Sequence, residues 1–136
     1  MLKRLALSAC LAFLGANAMA QDIEMIIGEK TFVVSLNENE AAKDLIGQLP
    51  LTLTFENFGQ TERIAYLNTP LKLGNAPTKT TPQTGDLTYY IPWGNLAVFV
   101  KPFRPSEDLV PLGKMGAEAV EALKASGSHP VTLKVR

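Results

Sequence analysis

The chain has 136 residues, with 13 basic and 13 acidic side chains, one cysteine and 46% hydrophobic residues. This length fits one domain. The zero net charge argues against a protein that binds nucleic acid through an excess of basic groups. A single cysteine excludes a disulfide scaffold and a thiolate-rich metal site.

The start of the chain has the three parts of a secretory signal peptide. Lys3 and Arg4 form its positive end, residues 5–14 form its apolar stretch, and Ala18-Met19-Ala20 provides a cleavage motif. The apolar stretch is shorter than the roughly 20 residues of a membrane-spanning helix, which disfavours a retained anchor. Cys10 comes too early in that stretch for a lipoprotein signal.

We therefore predict a cleaved signal peptide of residues 1–20 and one domain of residues 21–136. The signal removes two basic groups and the only cysteine, so the mature chain carries 11 basic and 13 acidic groups. The mature protein is expected in the periplasm or secreted, and not in a membrane. Without disulfides its stability must come from a hydrophobic core, for which this length is sufficient.

The first half of the domain contains patterns typical of a hairpin, a helix and two strands. They are predicted at residues 25–36, 37–49, 51–56 and 62–67. Gly28-Glu29-Lys30 provides the turn of the hairpin. Asn37 and Glu40 have the spacing of a helix capping box, and Pro50 ends the helix.

The second half contains three predicted strands, one helix and two long loops. The strands cover residues 87–91, 96–100 and 131–135, the helix covers 117–125, and the loops cover 74–85 and 102–111. The strand at 96–100 is apolar throughout, which predicts burial on both faces. Gly127 ends the helix at the C′ position. Many strands with helices near both ends predict a mainly β barrel, which has no free sheet edge.

Several segments resemble the bacterial cyclophilin-like domain family. The most specific are Leu49-Pro50-Leu51-Thr52-Leu53, directly after the first helix, and Gly85-Asp86-Leu87, which an aromatic pair and a proline follow. The resemblance covers nearly all of residues 21–136. It implies a closed eight-stranded cyclophilin-like β-barrel capped by two short helices. It implies no particular reaction, because that family is defined by its fold.

The chain is also similar, over shorter segments, to the true cyclophilins, which are peptidyl-prolyl cis-trans isomerases. Glu62-Arg63-Ile64 resembles the element that holds their catalytic arginine, and Phe99 is the counterpart of their pocket phenylalanine. The glutamine of their site falls on an apolar residue here, and Tyr90 takes the place of a groove alanine. The resemblance to an isomerase therefore implies a reduced active site that depends on Arg63 and Phe99.

Aromatic residues in the second half are candidates for a ligand-binding groove, which would take a peptide or a small apolar molecule. The candidates are Tyr66, Tyr90, Trp93 and Phe103. Packing in the core is the alternative role of such residues. Trp93 is the most informative, because its Pro-Trp-Gly-Asn turn is expected at the surface.

No pattern in the sequence indicates a cofactor or a metal. His129 is the only histidine, precedes a proline, and is interpreted as a solvated loop residue. The leading interpretation is an exported cyclophilin-like barrel that binds a peptide or small molecule without established catalysis. The alternative is a peptidyl-prolyl isomerase that uses Arg63 and Phe99.

Overall fold

The structure is a computed structural model that describes residues 19–136, so most of the predicted signal peptide lies outside the described residues. The strands are β1 (Met19–Ile27), β2 (Lys30–Asn37), β3 (Leu51–Leu53), β4 (Glu56–Phe58), β5 (Glu62–Tyr66), β6 (Lys79–Thr80), β7 (Asp86–Tyr90), β8 (Asn95–Phe99), β9 (Ser106–Glu107), β10 (Leu109–Met115) and β11 (Val131–Val135). The helices are α1 (Glu40–Gln48) and α2 (Ala117–Ala125).

Nine of these strands form one antiparallel, curled sheet in the order β3-β11-β1-β2-β10-β7-β8-β5-β4. The two remaining strands, β6 and β9, pair with each other in a short ribbon. Both helices contribute apolar side chains to the main core on one side of the sheet, which we call the inner face. These side chains are Ala41, Ala42, Leu45, Ala119, Val120 and Leu123.

The predicted closed eight-stranded barrel is wrong, because the sheet is open between β3 and β4. β3 pairs with β11 at one edge, and β4 pairs with β5 at the other edge. Only Thr54 and Phe55 separate these two short strands, and Phe55 is 2% exposed in the core. The two edge strands are therefore connected by the short link of residues 54–55. They do not pair with each other through the backbone hydrogen bonds that would close a barrel.

The predicted hairpin and both predicted helices are present. β1 and β2 are joined by a tight turn at Gly28, whose φ of 60° suits glycine. The cap of α1 is Asn39 and not Asn37, because Asn37 is still paired within β2. The Asn39 Oδ1 accepts from the Ala42 backbone N–H at 2.9 Å, and its Nδ2 donates to the Pro111 carbonyl at 2.9 Å.

The long segments predicted as loops contain strands that the sequence pattern does not reveal. β6 and β9 have two residues each, which is too short for a periodic pattern. β10 contains Pro111, which lacks an N–H donor, and its register shifts between Pro111 and Gly113. A Cβ at Gly113 would overlap the Ser35 carbonyl oxygen of β2, so the close pairing of β10 with β2 requires glycine there.

The strand β8 is buried on both faces, as its apolar run predicts. Leu96 and Val98 belong to the main core on the inner face. Ala97 and Phe99 point to the opposite side, which we call the outer face, and join a second apolar cluster with Ile64 and Leu109. One strand thus supplies both the core of the domain and the base of a second packed region.

Arg63 lies on the inner face of β5 and holds the C-terminal end of α2. Its side chain is buried, at 3% exposure. Its Nε donates to the Leu123 carbonyl at 3.1 Å, and its Nη2 donates to the Ser126 hydroxyl at 3.0 Å and to the Gly127 carbonyl. Nη1 donates to the Asn57 Oδ1 at 3.1 Å.

A helix leaves its last carbonyl groups without partners inside the helix, and its C-terminal end carries a partial negative charge. The Arg63 guanidinium donates hydrogen bonds to carbonyl groups at the end of α2, and its positive charge also compensates the partial negative charge there. Burial lowers the pKa of Arg63 below its ordinary value, and arginine stays charged in proteins. Arg63 therefore has a structural role, because it joins β5 to α2.

We predict that Arg63→Ala lowers the free energy of unfolding by about 3 kcal/mol, because it removes a buried guanidinium and its charge-assisted hydrogen bonds to the C-terminal end of α2. Urea unfolding followed by circular dichroism measures this change. Lys134→Ala is the matched control, since its ion pair with Glu24 at 3.9 Å lies at the surface and contributes less than about 1 kcal/mol. A loss below about 1 kcal/mol in Arg63→Ala would contradict the structural role.

Candidate functional site

A cavity of about 440 Å³ opens on the outer face of the sheet, over β5 and β8. We call it the outer-face cavity. Ile64 and Phe99, from these two strands, and Leu109 of β10 form its apolar floor. Its other lining residues are Phe58, Glu62, Tyr90, Trp93, Asn95 and the segment 103–107.

Three aromatic rings form one wall of the outer-face cavity. The Trp93 ring meets the Phe58 ring at a centroid distance of 5.5 Å and the Tyr90 ring at 5.6 Å, both edge to face. Tyr90 is on β7 and Phe58 is on β4, so the Trp93 ring lies across the two strands between them. Trp93 is nevertheless 51% exposed, which leaves much of its surface available to another molecule.

The opposite wall is the segment from Phe103 to Glu107. The Phe103 ring stacks on the Phe99 ring at 6.0 Å, and the Arg104 guanidinium lies 4.4 Å above the Phe103 ring. The backbone N–H of Phe103 donates to the Pro82 carbonyl at 3.1 Å. Pairing of β9 with β6 holds the far end of the segment, so this wall is fixed at both ends.

Asn95 borders the outer-face cavity and carries a buried, unsatisfied acceptor beside it. The residue is 2% exposed, and its Nδ2 donates to the Leu96 carbonyl at 3.1 Å. Its Oδ1 is buried and has no hydrogen-bond partner among residues 19–136. Such a buried acceptor costs about 1–3 kcal/mol, so a donor supplied by a ligand would remove this penalty.

Glu62 brings a negative charge to the same cavity. It faces outward from β5, directly opposite Phe58 on β4 and Phe99 on β8. Burial raises the pKa of the Glu62 carboxyl above its ordinary value of 4.5, because the charged form loses part of its hydration. Within the described part of the chain, no Lys or Arg forms an ion pair with this carboxylate.

The structure brings four of the predicted site residues together. Phe99, Tyr90, Trp93 and Phe103 all line the outer-face cavity. Tyr66 is 50% exposed on the same side of β5, but it does not line the cavity. The rings that line the cavity therefore differ from the predicted ligand-binding residues, because they include Phe58 and Phe99 but not Tyr66.

The structure does not bring Arg63 and Phe99 together. Arg63 pairs with Val98 in the sheet, and both side chains point to the inner face, whereas Phe99 points outward. Successive side chains of a strand point to opposite faces, so residues at these two positions cannot share a surface. The arrangement that the isomerase alternative needs, with a cation beside the Phe99 pocket, is therefore not formed by Arg63.

Several of the lining residues were not among the residues predicted for the site. Among them, Phe58, Glu62, Asn95 and Arg104 were not singled out for binding, and cross-strand register and loop path bring them together. His129 is exposed, as expected for a loop residue. In residues 19–136 no three His, Cys, Asp or Glu side chains are grouped to hold a metal ion. The same residues contain no helix long and apolar enough to cross a membrane.

We predict that Glu62→Gln raises the free energy of unfolding at about pH 7.5, by less than about 1 kcal/mol because Glu62 is only partly buried. A raised pKa in the folded state stabilises the protonated protein, and this contribution is lost as the pH rises through that pKa. Glutamine imitates the protonated form at every pH. The difference between variant and wild type should therefore disappear below about pH 4.

Urea unfolding at both pH values measures this effect, with the exposed Glu56→Gln as control. The control should change the free energy of unfolding by no more than a few tenths of a kcal/mol at either pH. A Glu62→Gln variant that is less stable than the wild type at about pH 7.5 would show that the carboxylate has a stabilising partner.

Comparison with known proteins identifies a protein of similar fold and a family that the sequence matches. The chain is similar in structure to the hypothetical protein AF2241 from Archaeoglobus fulgidus, determined in solution, with a TM-score of 0.62 and 17% sequence identity. The match covers 90% of this chain and 99% of that chain, and at this identity it concerns the fold alone. No curated protein matches the sequence. The model of the cyclophilin-like family matches residues 25–134, and the chain therefore belongs to the cyclophilin-like family.

Proposed function

We propose that this protein is a binding domain that takes a small molecule, or a side chain of a peptide, into the outer-face cavity. The cavity volume of about 440 Å³ lies in the range of sites for small ligands. Aromatic rings dominate its walls, and a few polar groups lie among them. This combination provides apolar contact together with a small number of orienting hydrogen bonds.

The Asn95 Oδ1 is the observation that carries the proposal. Nearly all buried polar groups in native proteins have a hydrogen-bond partner, and exceptions occur where function requires them. An apolar side chain at position 95 would not leave a buried acceptor without a partner, so it would avoid this free-energy cost in the unbound protein. Rotation of the Asn95 side chain toward the cavity would let an N–H donor on a ligand complete its hydrogen bonding. Binding would then remove the penalty of the unsatisfied acceptor.

We do not extend the proposal to prolyl isomerisation. That reaction would need a cation near the amide bond of a substrate whose ring is held against Phe99. Arg63 is engaged with α2 behind the sheet, and Arg104 is stacked on Phe103. Binding without catalysis uses every feature of the outer-face cavity and requires no rearrangement of Arg63.

We also propose that the protein acts in the periplasm or outside the cell, after removal of residues 1–20. The charged start, the apolar stretch and the Ala18-Met19-Ala20 motif support this. The pairing of β1 with β2 supports the cleavage position. Its register is irregular between Met19 and Gln21 and continuous from Gln21 onward, so cleavage after Ala20 leaves the continuous part of the hairpin intact.

The binding proposal predicts that N-methylbenzamide binds more tightly than methyl benzoate, which has a similar shape but no N–H donor. Trp93 is the only tryptophan, so its fluorescence reports binding in the cavity. In Asn95→Leu the preference for the amide should disappear, with a loss of about tenfold in amide affinity. The free variant should unfold at higher urea concentration than the wild type, because the unsatisfied acceptor is gone.

Asn68→Leu is the control for this measurement, because Asn68 is exposed and does not line the cavity. It should keep the preference for the amide. The binding proposal fails if neither compound perturbs Trp93 or the other lining residues in wild-type protein. It also fails if the preference survives in Asn95→Leu.

The export proposal predicts that a bacterium expressing the full chain releases a mature protein that begins at Gln21. Intact-mass measurement of the periplasmic fraction and the medium tests this. Replacing the small residue at the cleavage motif with Ala18→Arg should cause the uncleaved chain to accumulate. A full-length chain that remains in the cytoplasm of wild-type cells would contradict the proposal.

A further inference from the structure

Glu62 occupies a distinctive position between two aromatic side chains on neighbouring strands. In the register of the sheet, Phe58 of β4 lies directly opposite Glu62 of β5, which lies directly opposite Phe99 of β8. Directly opposite residues of antiparallel strands have Cβ atoms about 5 Å apart on the same face. The Cβ atom of Glu62 therefore lies between those of two aromatic residues, and all three residues line the outer-face cavity.

The other charged side chains of the cavity have contacts of their own. Glu107 forms an ion pair with Lys79 at 3.7 Å. The Arg104 guanidinium lies 4.4 Å above the Phe103 ring. Glu62 has no such partner in the part of the chain that the structure describes. It is thus a partly buried anion in an aromatic setting, and the one cation of the described cavity lining, Arg104, lies over the Phe103 ring and forms no ion pair with it.

The chemistry of this setting selects a cation. The face of an aromatic ring attracts positive charge, and a carboxylate forms short, strong hydrogen bonds with ammonium and guanidinium groups. An anionic ligand would be repelled by Glu62. A neutral ligand would cover the carboxylate without compensating its charge, which is unfavourable.

We propose that the outer-face cavity binds an organic cation, with its ammonium or guanidinium group against Glu62 between Phe58 and Phe99. The apolar body of the ligand lies on the floor formed by Ile64 and Phe99. This inference rests on the proposed binding function and names the class of ligand that the cavity takes.

The same chemistry is present in a free amine and in the Lys or Arg side chain of a peptide. Asn95 lies four residues from Phe99 along β8, which corresponds to about 13 Å between their Cα atoms. A ligand that meets both Glu62 and Asn95 is therefore elongated. It carries its cation at one end and an N–H donor toward the other, and a peptide with a basic side chain offers both groups.

The test compares 2-phenylethylamine with 2-phenylethanol, its neutral analogue, on the mature chain at about 0.15 M salt. Trp93 fluorescence and backbone amide shifts measure binding. We expect the amine to bind at least tenfold more tightly, and this difference to fall below twofold in Glu62→Gln. Glu56→Gln also removes an outward-facing carboxylate of β4, but not one that lines the cavity, and it should keep the preference.

A second pair of probes identifies the source of the cation. It consists of the blocked tripeptides Ala-Lys-Ala and Ala-norleucine-Ala, which differ only in the ammonium group. Tighter binding of the lysine peptide than of 2-phenylethylamine, dependent on Glu62, supports the inference and assigns a peptide source. The reverse order, with the same dependence on Glu62, supports the inference and assigns a free amine.

The outcomes separate the inference from the binding proposal. Equal affinity for the charged and neutral probes overturns the cation inference, and so does a charge preference that survives in Glu62→Gln. In either case, binding of N-methylbenzamide that depends on Asn95 would leave the binding proposal standing. Failure of every probe to perturb the cavity overturns both.

Discussion

The structure depends on the burial of both faces of the neighbouring strands β5 and β8. Inward side chains of β8, such as Leu96 and Val98, build the core beneath the helices. Outward side chains, such as Phe99, build the floor of the outer-face cavity together with Ile64 of β5. A shift of one residue in this pairing would exchange the two sets, so hydrophobic burial fixes the register and with it the composition of the cavity.

The adjacent residues Glu62 and Arg63 have different roles because the register of β5 directs their side chains to opposite faces of the sheet. Arg63 points inward and completes the hydrogen bonding at the end of α2. Glu62 points outward into the aromatic cavity and lacks a cation partner within residues 19–136. One charge stabilises the fold and the other is available to a ligand, although a sequence pattern treats them as one charged pair in a strand.

Local patterns were sufficient for the parts of the fold that depend on nearby residues. The turn at Gly28, the extent of α2 and the two-sided burial of β8 all follow from short-range spacing. The open sheet edge, the strand around Pro111 and the positions of Glu62 and Asn95 depend on partners distant in sequence. Aromatic content suggested candidates for a groove, but the pattern alone could not show that Phe58 lines the cavity and Tyr66 does not.

The central claim is that ligands bind on the outer face of β5 and β8, away from Arg63. Intermolecular nuclear Overhauser effects in the complex with 2-phenylethylamine test this most directly, because they locate the bound molecule. We predict contacts from the ligand to the ring protons of Phe99 and Trp93, and none to the side chain of Arg63. Contacts to Arg63 or to residues of the inner face, without contacts to Phe99, would contradict the account.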